Sequence, residues 1–299
     1  MFSNHFAYLQ KHPQLAATCY ALISSMAFSA MSTAVRLVSD DLNAAEIMTL
    51  RNFLTLVLLL PWVLKNGVGV IRTTRLYDHA WRGFVGGIGM ITWIYCLTIL
   101  PLAHATALSF TAPLFSTVFA IIILKEEADT PRWLALIAGF VGVLIILRPS
   151  PAGFDWRELL VMLSTTSWAI TSLFVKSLSR TEPPMRMVFY MNVFMFLLAL
   201  PFGLAHWHMP RASSWGILLF IACSSILMHF TMAKAYSLAR VVTLLPLDFT
   251  RLVFAALFAY IIFGETTDWV TWAGAAIIIL SAVFIARRDV KAAPPVEME

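Results

Sequence analysis

The chain has 299 residues, of which 60% are apolar and only 12% charged, with a mean hydropathy of +0.81 and a formal net charge of +5 at pH 7. A water-soluble domain averages roughly 45–50% apolar and about 25% charged residues, and a chain this apolar would expose patches that soluble monomers avoid. Composition therefore excludes a soluble globular domain, a disordered chain, a collagen-like fibre and a small disulfide scaffold, and leaves a polytopic membrane protein.

A helical span needs about 20 mostly apolar residues. Such runs occur at 14–38, 44–64, 80–99, 104–124, 132–148, 156–176, 184–205, 212–232, 241–263 and 269–286. They are continuous rather than alternating, which predicts helices and not a β-barrel. The first run follows Lys11 and His12 but is too long for a signal-peptide core and has no clear cleavage site, so it reads as the first helix. It is rich in hydroxyls (Ser24, Ser25, Ser29, Ser32) and carries Phe28. The second holds Arg51 about seven residues in, with Glu46 five residues before it. The third holds Gly83, Gly86, Gly87 and Gly89, then Trp93 and Tyr95. With no strand before them, these glycines suit close helix packing better than a phosphate loop. The fourth begins near His104 and contains Pro113, with Glu126 just past its end. The sixth repeats the hydroxyl pattern (Ser164, Thr165, Thr166, Ser167) and carries Trp168. The eighth contains His229 and Phe230; the ninth contains Pro246, Asp248 and Arg251 and ends before Glu265. Cys19, Cys96 and Cys223 lie far apart inside apolar runs and read as small buried hydrophobes.

Orientation follows from Lys and Arg. With a cytoplasmic N-terminus, fifteen of the 21 lie inside, four outside, and two, Arg51 and Arg251, within spans. Both termini are therefore expected in the cytoplasm, which needs an even number of helices. The positive charge has no clustered basic face, so no nucleic-acid partner is expected. Seven tryptophans near helix ends, Trp62, Trp81, Trp133, Trp156, Trp207, Trp215 and Trp269, fit an interfacial belt.

The chain also repeats itself. Residues 99–148 align without a gap on 238–287, a shift of 139, with thirteen of fifty positions identical. Matches include Phe110/Phe249, Glu126/Glu265, Asp129/Asp268, Trp133/Trp272 and Arg148/Arg287. The front of each half matches at a shift of 140, as in Ser24/Ser164, Asn52/Asn192 and Pro61/Pro201. The expected organisation is a tail at 1–13, a five-helix unit at 14–148, a second at 156–287 and a tail at 288–299. Five is odd, so the second unit enters the membrane inverted. Inverted repeats are typical of secondary transporters, whose halves rock about a central site.

The stretch from Ala112-Pro113-Leu114-Phe115 to Leu124-Lys125-Glu126-Glu127, with Trp133 and Gly139, resembles the EamA repeat of the drug/metabolite transporter superfamily. So does the second copy, from Leu247 through Gly264-Glu265 to Trp272 and Gly274. Trp168 with Lys176 also fits that repeat's first helix, while Phe28 and Arg36 stand at those places in the first copy. The resemblance implies an all-α membrane protein of ten helices, 5 + 5 around a central cavity, moving a small metabolite in either direction.

Ionisable groups in a bilayer are costly and point to function. Asp248 and Arg251 are three apart on one helical face, and Arg251 falls near the midplane, about ten residues or roughly 15 Å into its helix. Their repeat counterparts are Ser109 and Ala112, and that of Arg51 is Met191. A scaffold role tends to recur in both halves; substrate chemistry need not. The expected substrate-binding set is Asp248, Arg251, Arg51 and His229 with the rings of Phe28, Trp93, Tyr95, Trp168 and Phe230. The alternatives are a self-neutralising Asp–Arg pair, and snorkelling or a Glu46 contact for Arg51. Pro113 and Pro246 are read as hinges, and Glu126 and Glu265 as structural, capping the following helix. His206-Trp207-His208 offers too few ligands for a metal site. No Walker lysine, Gly-x-Ser-x-Gly elbow or His-Glu-x-x-His occurs. No cofactor, metal or catalytic residue is therefore expected, and an ATP-driven pump is disfavoured.

The expected protein is a bacterial inner-membrane secondary transporter. An acid and an arginine suit a zwitterion: an amino acid or a relative such as S-adenosylmethionine. Uncharged or anionic cargo such as riboflavin or a nucleotide sugar is the alternative, and an intramembrane enzyme or a passive channel are rivals from other classes. Beyond cargo and bilayer, a coupled proton and a second copy of the chain stay open as partners.

Overall fold

The computed structural model describes residues 13–112, 114–115, 118–119, 130–147, 156–178, 181–205, 207–238, 247 and 250–292. Among them run α1 (Pro13–Val38), α2 (Ala44–Asn66), a 3-10 turn (Val68–Ile71), α3 (Leu76–Ile99), α4 (Leu102–Ser109) and α5 (Thr130–Leu147). Then follow α6 (Trp156–Leu178), α7 (Pro184–Ala205), α8 (Ala212–Leu238), α9 (Thr250–Phe263) and α10 (Trp269–Ala292). No strand occurs among the described residues. Among the described residues, five helical stretches are long and apolar enough to cross a membrane: Leu15–Val38, Ala44–Asn66, Leu76–Ile99, Pro184–Ala205 and Ala212–Ala235.

Helix ends follow local chemistry. Asn43 and Glu46 form a capping box on α2: the Asn43 side chain accepts from the N–H groups of Ala45 and Glu46 at 3.0 Å, and Glu46 accepts from Asn43 N–H at 2.9 Å. Gly67 and Gly264 stop α2 and α9 at φ of 78° and 67°, where a side chain would be strained. Exposed tryptophans (Trp81, Trp133, Trp156, Trp207, Trp269) and exposed Leu, Ile and Phe cover the outside of the bundle, as lipid requires.

The two halves interlock. The first helix of each half packs on the third of the other: α1 on α8, and α6 on α3. The second helices pair (α2 with α7), as do the fifth (α5 with α10). Hydrogen bonds repeat the relation. Ser24 Oγ donates to the Met228 carbonyl at 3.0 Å, and Ser164 Oγ to the Gly89 carbonyl at 2.7 Å. Ser24 with Ser164, and Gly89 with Met228, are equivalents in the internal repeat. The glycines of α3 permit this contact. A Cβ on Gly89 would lie 2.8 Å from Ser167 Cβ of α6, and Gly83 gives α7 a similar close approach, since a Cβ there would lie 2.4 Å from Phe194 Cβ.

The loops before α2 and α7 are clasped by carboxylates. Asp41 accepts from Ser214 Oγ at 2.6 Å and Arg211 N–H at 2.9 Å; Glu182 accepts from Thr73 Oγ1 at 2.6 Å and Arg186 at 2.8 Å. The Ser214 hydroxyl and the Arg211 amide hold Asp41 below the usual 3.8. Burial pushes Glu182 up, but the Thr73 and Arg186 contacts outweigh it and hold its carboxyl below the usual 4.5. A depressed carboxyl stabilises the fold above its unfolded pKa and stops doing so as pH falls through its folded value. Melting temperature in detergent is therefore expected to hold from pH 7 to about 4.5 and to fall below it. Asp41→Asn should lower it at pH 7 and shrink the acid-side fall.

Candidate functional site

The hydroxyl-rich helices α1 and α6 bring Phe28 and Trp168 together. The two are repeat equivalents, and their rings meet edge to face at 5.9 Å and 84°. Equivalent residues in mutual contact lie where the halves meet. Trp93 of α3, fully buried, closes the cluster at 5.7 Å from Phe28 and 5.3 Å from Trp168, and its indole N–H points at Ser32 Oγ, 3.4 Å away. The Arg251 guanidinium lies over the Phe28 ring, 4.7 Å from its centroid. The α1 hydroxyls fasten the start of α9 there: Ser29 donates to the Arg251 carbonyl at 3.0 Å and Ser25 to the Leu247 carbonyl at 3.4 Å. Three aromatic faces and a cation at one junction suit a cargo with a flat ring and charged groups.

Four residues of the expected set thus meet. Others do not. Tyr95 is 41% exposed on the outer face of α3. Two residues of helix turn it about 200° away from Trp93. Phe230 is half-buried on α8 and stands outside the ring cluster. Asp248, Pro113, Pro246 and Glu126 lie outside the described residues. His104 faces Glu158 at 2.8 Å, linking α4 to α6. His208 serves the α2 start, with its Nδ1 2.9 Å from Glu46, and no cluster of metal-ligand residues occurs among the described residues.

Arg51 is fully buried and does not pair with Glu46, which is held by Asn43 and His208. Its Nη2 donates to Asn52 Oδ1 at 2.9 Å and faces Met195 Sδ at 3.6 Å; its Nη1 faces Met31 Sδ at 3.9 Å. His229 Nε2 is buried with no hydrogen-bond partner among the described residues, and the field of Arg51 and Arg82 reaches it. Arg82 escaped the sequence reading, which left it to the cytoplasmic end of its helix. It is 6% exposed, bonded to the Met187 carbonyl at 2.8 Å. Its place inside the apolar run from residue 80 was the available signal.

Glu265 does not cap the next helix. Asp268 does that, accepting from Thr271, while Glu265 forms an ion pair with Arg36 of α1, whose guanidinium also covers Phe263 at 4.7 Å. The pair ties the end of α1 to the α9–α10 link. A partly exposed pair of this kind is worth about 1 kcal/mol. Arg36→Glu is expected to lower the melting temperature by a few degrees, and adding Glu265→Arg to recover most of it. A double variant no better than the single one would show that the pair is not coupled.

A bundle of two interlocked helical repeats, apolar outside and with aromatic and cationic side chains at their junction, defines a multi-pass membrane transporter of small solutes. The sequence model of the EamA-like transporter family matches residues 15–148 and 155–287. The chain belongs to that family; it is a transporter and not an enzyme. It is 31% identical over 267 residues to an S-adenosylmethionine uptake transporter of Rickettsia prowazekii (strain Madrid E), covering 89% of this chain and 91% of that one. It is 31% identical over 290 residues to a riboflavin transporter of Vibrio cholerae, covering 94% and 96%. A pseudopaline exporter of Pseudomonas aeruginosa is 26% identical over 269 residues, covering 89% and 94%. A solved crystal structure shares the fold with a TM-score of 0.63 at 14% identity, over 94% of this chain and 100% of that one.

Proposed function

We propose that the protein is a secondary transporter of an amino-acid-like zwitterion, S-adenosylmethionine foremost, in the bacterial inner membrane. Ten helices cross the bilayer as two inverted units with both termini in the cytoplasm, and cargo passes by alternating access. The junction of Phe28, Trp93, Trp168 and Arg251 carries this reading. The adenine stacks on the rings, and the sulfonium gains from the indole faces. An arginine takes the carboxylate in a bidentate fork, and Asp248, three residues before Arg251, takes the amine. Asp248 and His229 are the groups on which a coupled proton would ride. The rickettsial relatives support this cargo. The Vibrio relative favours a second reading, riboflavin, whose flavin would stack on the same rings without needing the charges.

Thermal melting of the purified protein with S-adenosylmethionine, riboflavin, amino acids and nucleotide sugars separates them. A ligand at about 100 times its dissociation constant stabilises by roughly 2.7 kcal/mol. A shift with S-adenosylmethionine, and saturable counterflow of it in proteoliposomes, is expected. A shift with riboflavin alone would discard the zwitterion.

A further inference from the structure

Arg51 and Arg82 are buried cations without a counter-charge among the described residues. Arg51 on α2 faces Met195 Sδ, and Arg82 on α3 faces Met191 Sδ at 3.4 Å. These methionines are one turn apart on α7, so the two guanidiniums stand side by side along it, about 6 Å apart in level. The nearby carboxylates are engaged elsewhere: Glu46 with Asn43 and His208, Asp78 with Arg75, and Glu182 with Thr73 and Arg186. The Nε atoms of Arg51 and Arg82, His229 Nε2 and Asn52 Nδ2 are all buried without a hydrogen-bond partner among the described residues. A buried charge left unpaired costs several kcal/mol, and thioether sulfur is a weak acceptor that a carboxylate displaces readily. The repeat equivalents are Met191 for Arg51 and Ile221 for Arg82, so the second half lacks the pair.

We propose that Arg51 and Arg82 form an anion station inside the bundle that receives the carboxylate of the cargo. Each Nε–Nη2 edge is the fork that binds a carboxylate side-on; until it arrives, Met191 Sδ holds the Nη2 of Arg82, and Asn52 Oδ1 with Met195 Sδ that of Arg51. Met31, which packs on Arg51, follows Phe28 by three residues on α1, so the station adjoins the ring cluster within one helical turn. A zwitterion stacked on Phe28 and Trp168 would reach it with its carboxylate. The proposal deepens the zwitterion reading and rests on it for the cargo, but not for the charge state of the site.

Two measurements on the full chain in nanodiscs test it. The first is melting without ligand. Arg51→Met and Arg82→Met remove a waiting cation from a thioether-lined place, and the melting temperature is expected to hold or rise. A fall of several degrees in both would make the arginines structural and overturn the station. The second is binding of S-adenosylmethionine and of its decarboxylated analogue. Wild type is expected to favour the carboxylate form at least tenfold, and Arg82→Met and Arg51→Met to abolish that preference, with Arg82→Lys restoring part. Equal binding of the two compounds by wild type, or an affinity within twofold in Arg82→Met, would overturn it. If wild type ignores both compounds, the cargo reading fails and the ligand-free melts alone decide the station.

Discussion

Replacing Asp248 with Asn and Arg251 with Met together is expected to weaken S-adenosylmethionine binding about a hundredfold and to abolish its counterflow. Breaking one desolvated charged contact costs about 2–5 kcal/mol, and each 1.4 kcal/mol is a factor of about ten. The fold should survive, because the start of α9 is also held through its backbone: Ser29 and Ser25 bond the carbonyls of Arg251 and Leu247, whatever side chains those residues carry. Melting without ligand should therefore move little while the ligand-induced shift disappears. Unchanged affinity and flux in the double variant would return both residues to the scaffold. Trp93→Ala would then separate stacking from charge, since it removes a ring but no ionic group.

The second large effect is expected where α5 crosses α10. A Cβ on Gly142 would lie 2.9 Å from the Gly274 carbonyl oxygen, and one on Gly274 would lie 2.8 Å from the Gly142 carbonyl oxygen and 2.5 Å from Ile146 Cγ1. Both obstacles include backbone, which cannot rotate away. In lipid, helices associate through such close approach rather than through hydrophobic burial. Gly274→Val is expected to cost about 3 kcal/mol, read as a lower melting temperature and a reduced monodisperse yield. Gly216 of α8 is the control. Nothing lies within 4 Å of its would-be Cβ, so Gly216→Ala should be neutral or slightly stabilising. A Gly274→Val protein that melts like wild type would mean the helices do not cross that closely.

Much of this architecture was readable from residue order. Apolar runs of sufficient length dictate helices, because backbone polar groups in lipid have no other partners. The repeat was legible because Glu, Asp, Trp and Arg recur at one spacing. The asymmetry that singled out Arg251 and Arg51 was legible by the same comparison, and the structure places both in the interior, Arg51 fully and Arg251 partly buried.

Helix rotation was not legible. In water an apolar stripe marks the buried face. In a bilayer the lipid-facing side is apolar too, so Trp93 and Tyr95 look alike in the sequence although one is fully buried and the other 41% exposed. Partner choice was equally hidden. Glu265 looks like a cap until α1 brings Arg36 to it, and Arg82 looks like an interfacial anchor until α7 covers it. Residue order was enough for the class, the repeats and two of the unusual charges, Arg51 and Arg251, since these follow from solvation and self-similarity. Which faces meet, and which charges are left without a counter-ion, follows from packing between helices distant in the chain, where close contact and not amphipathicity selects the neighbours.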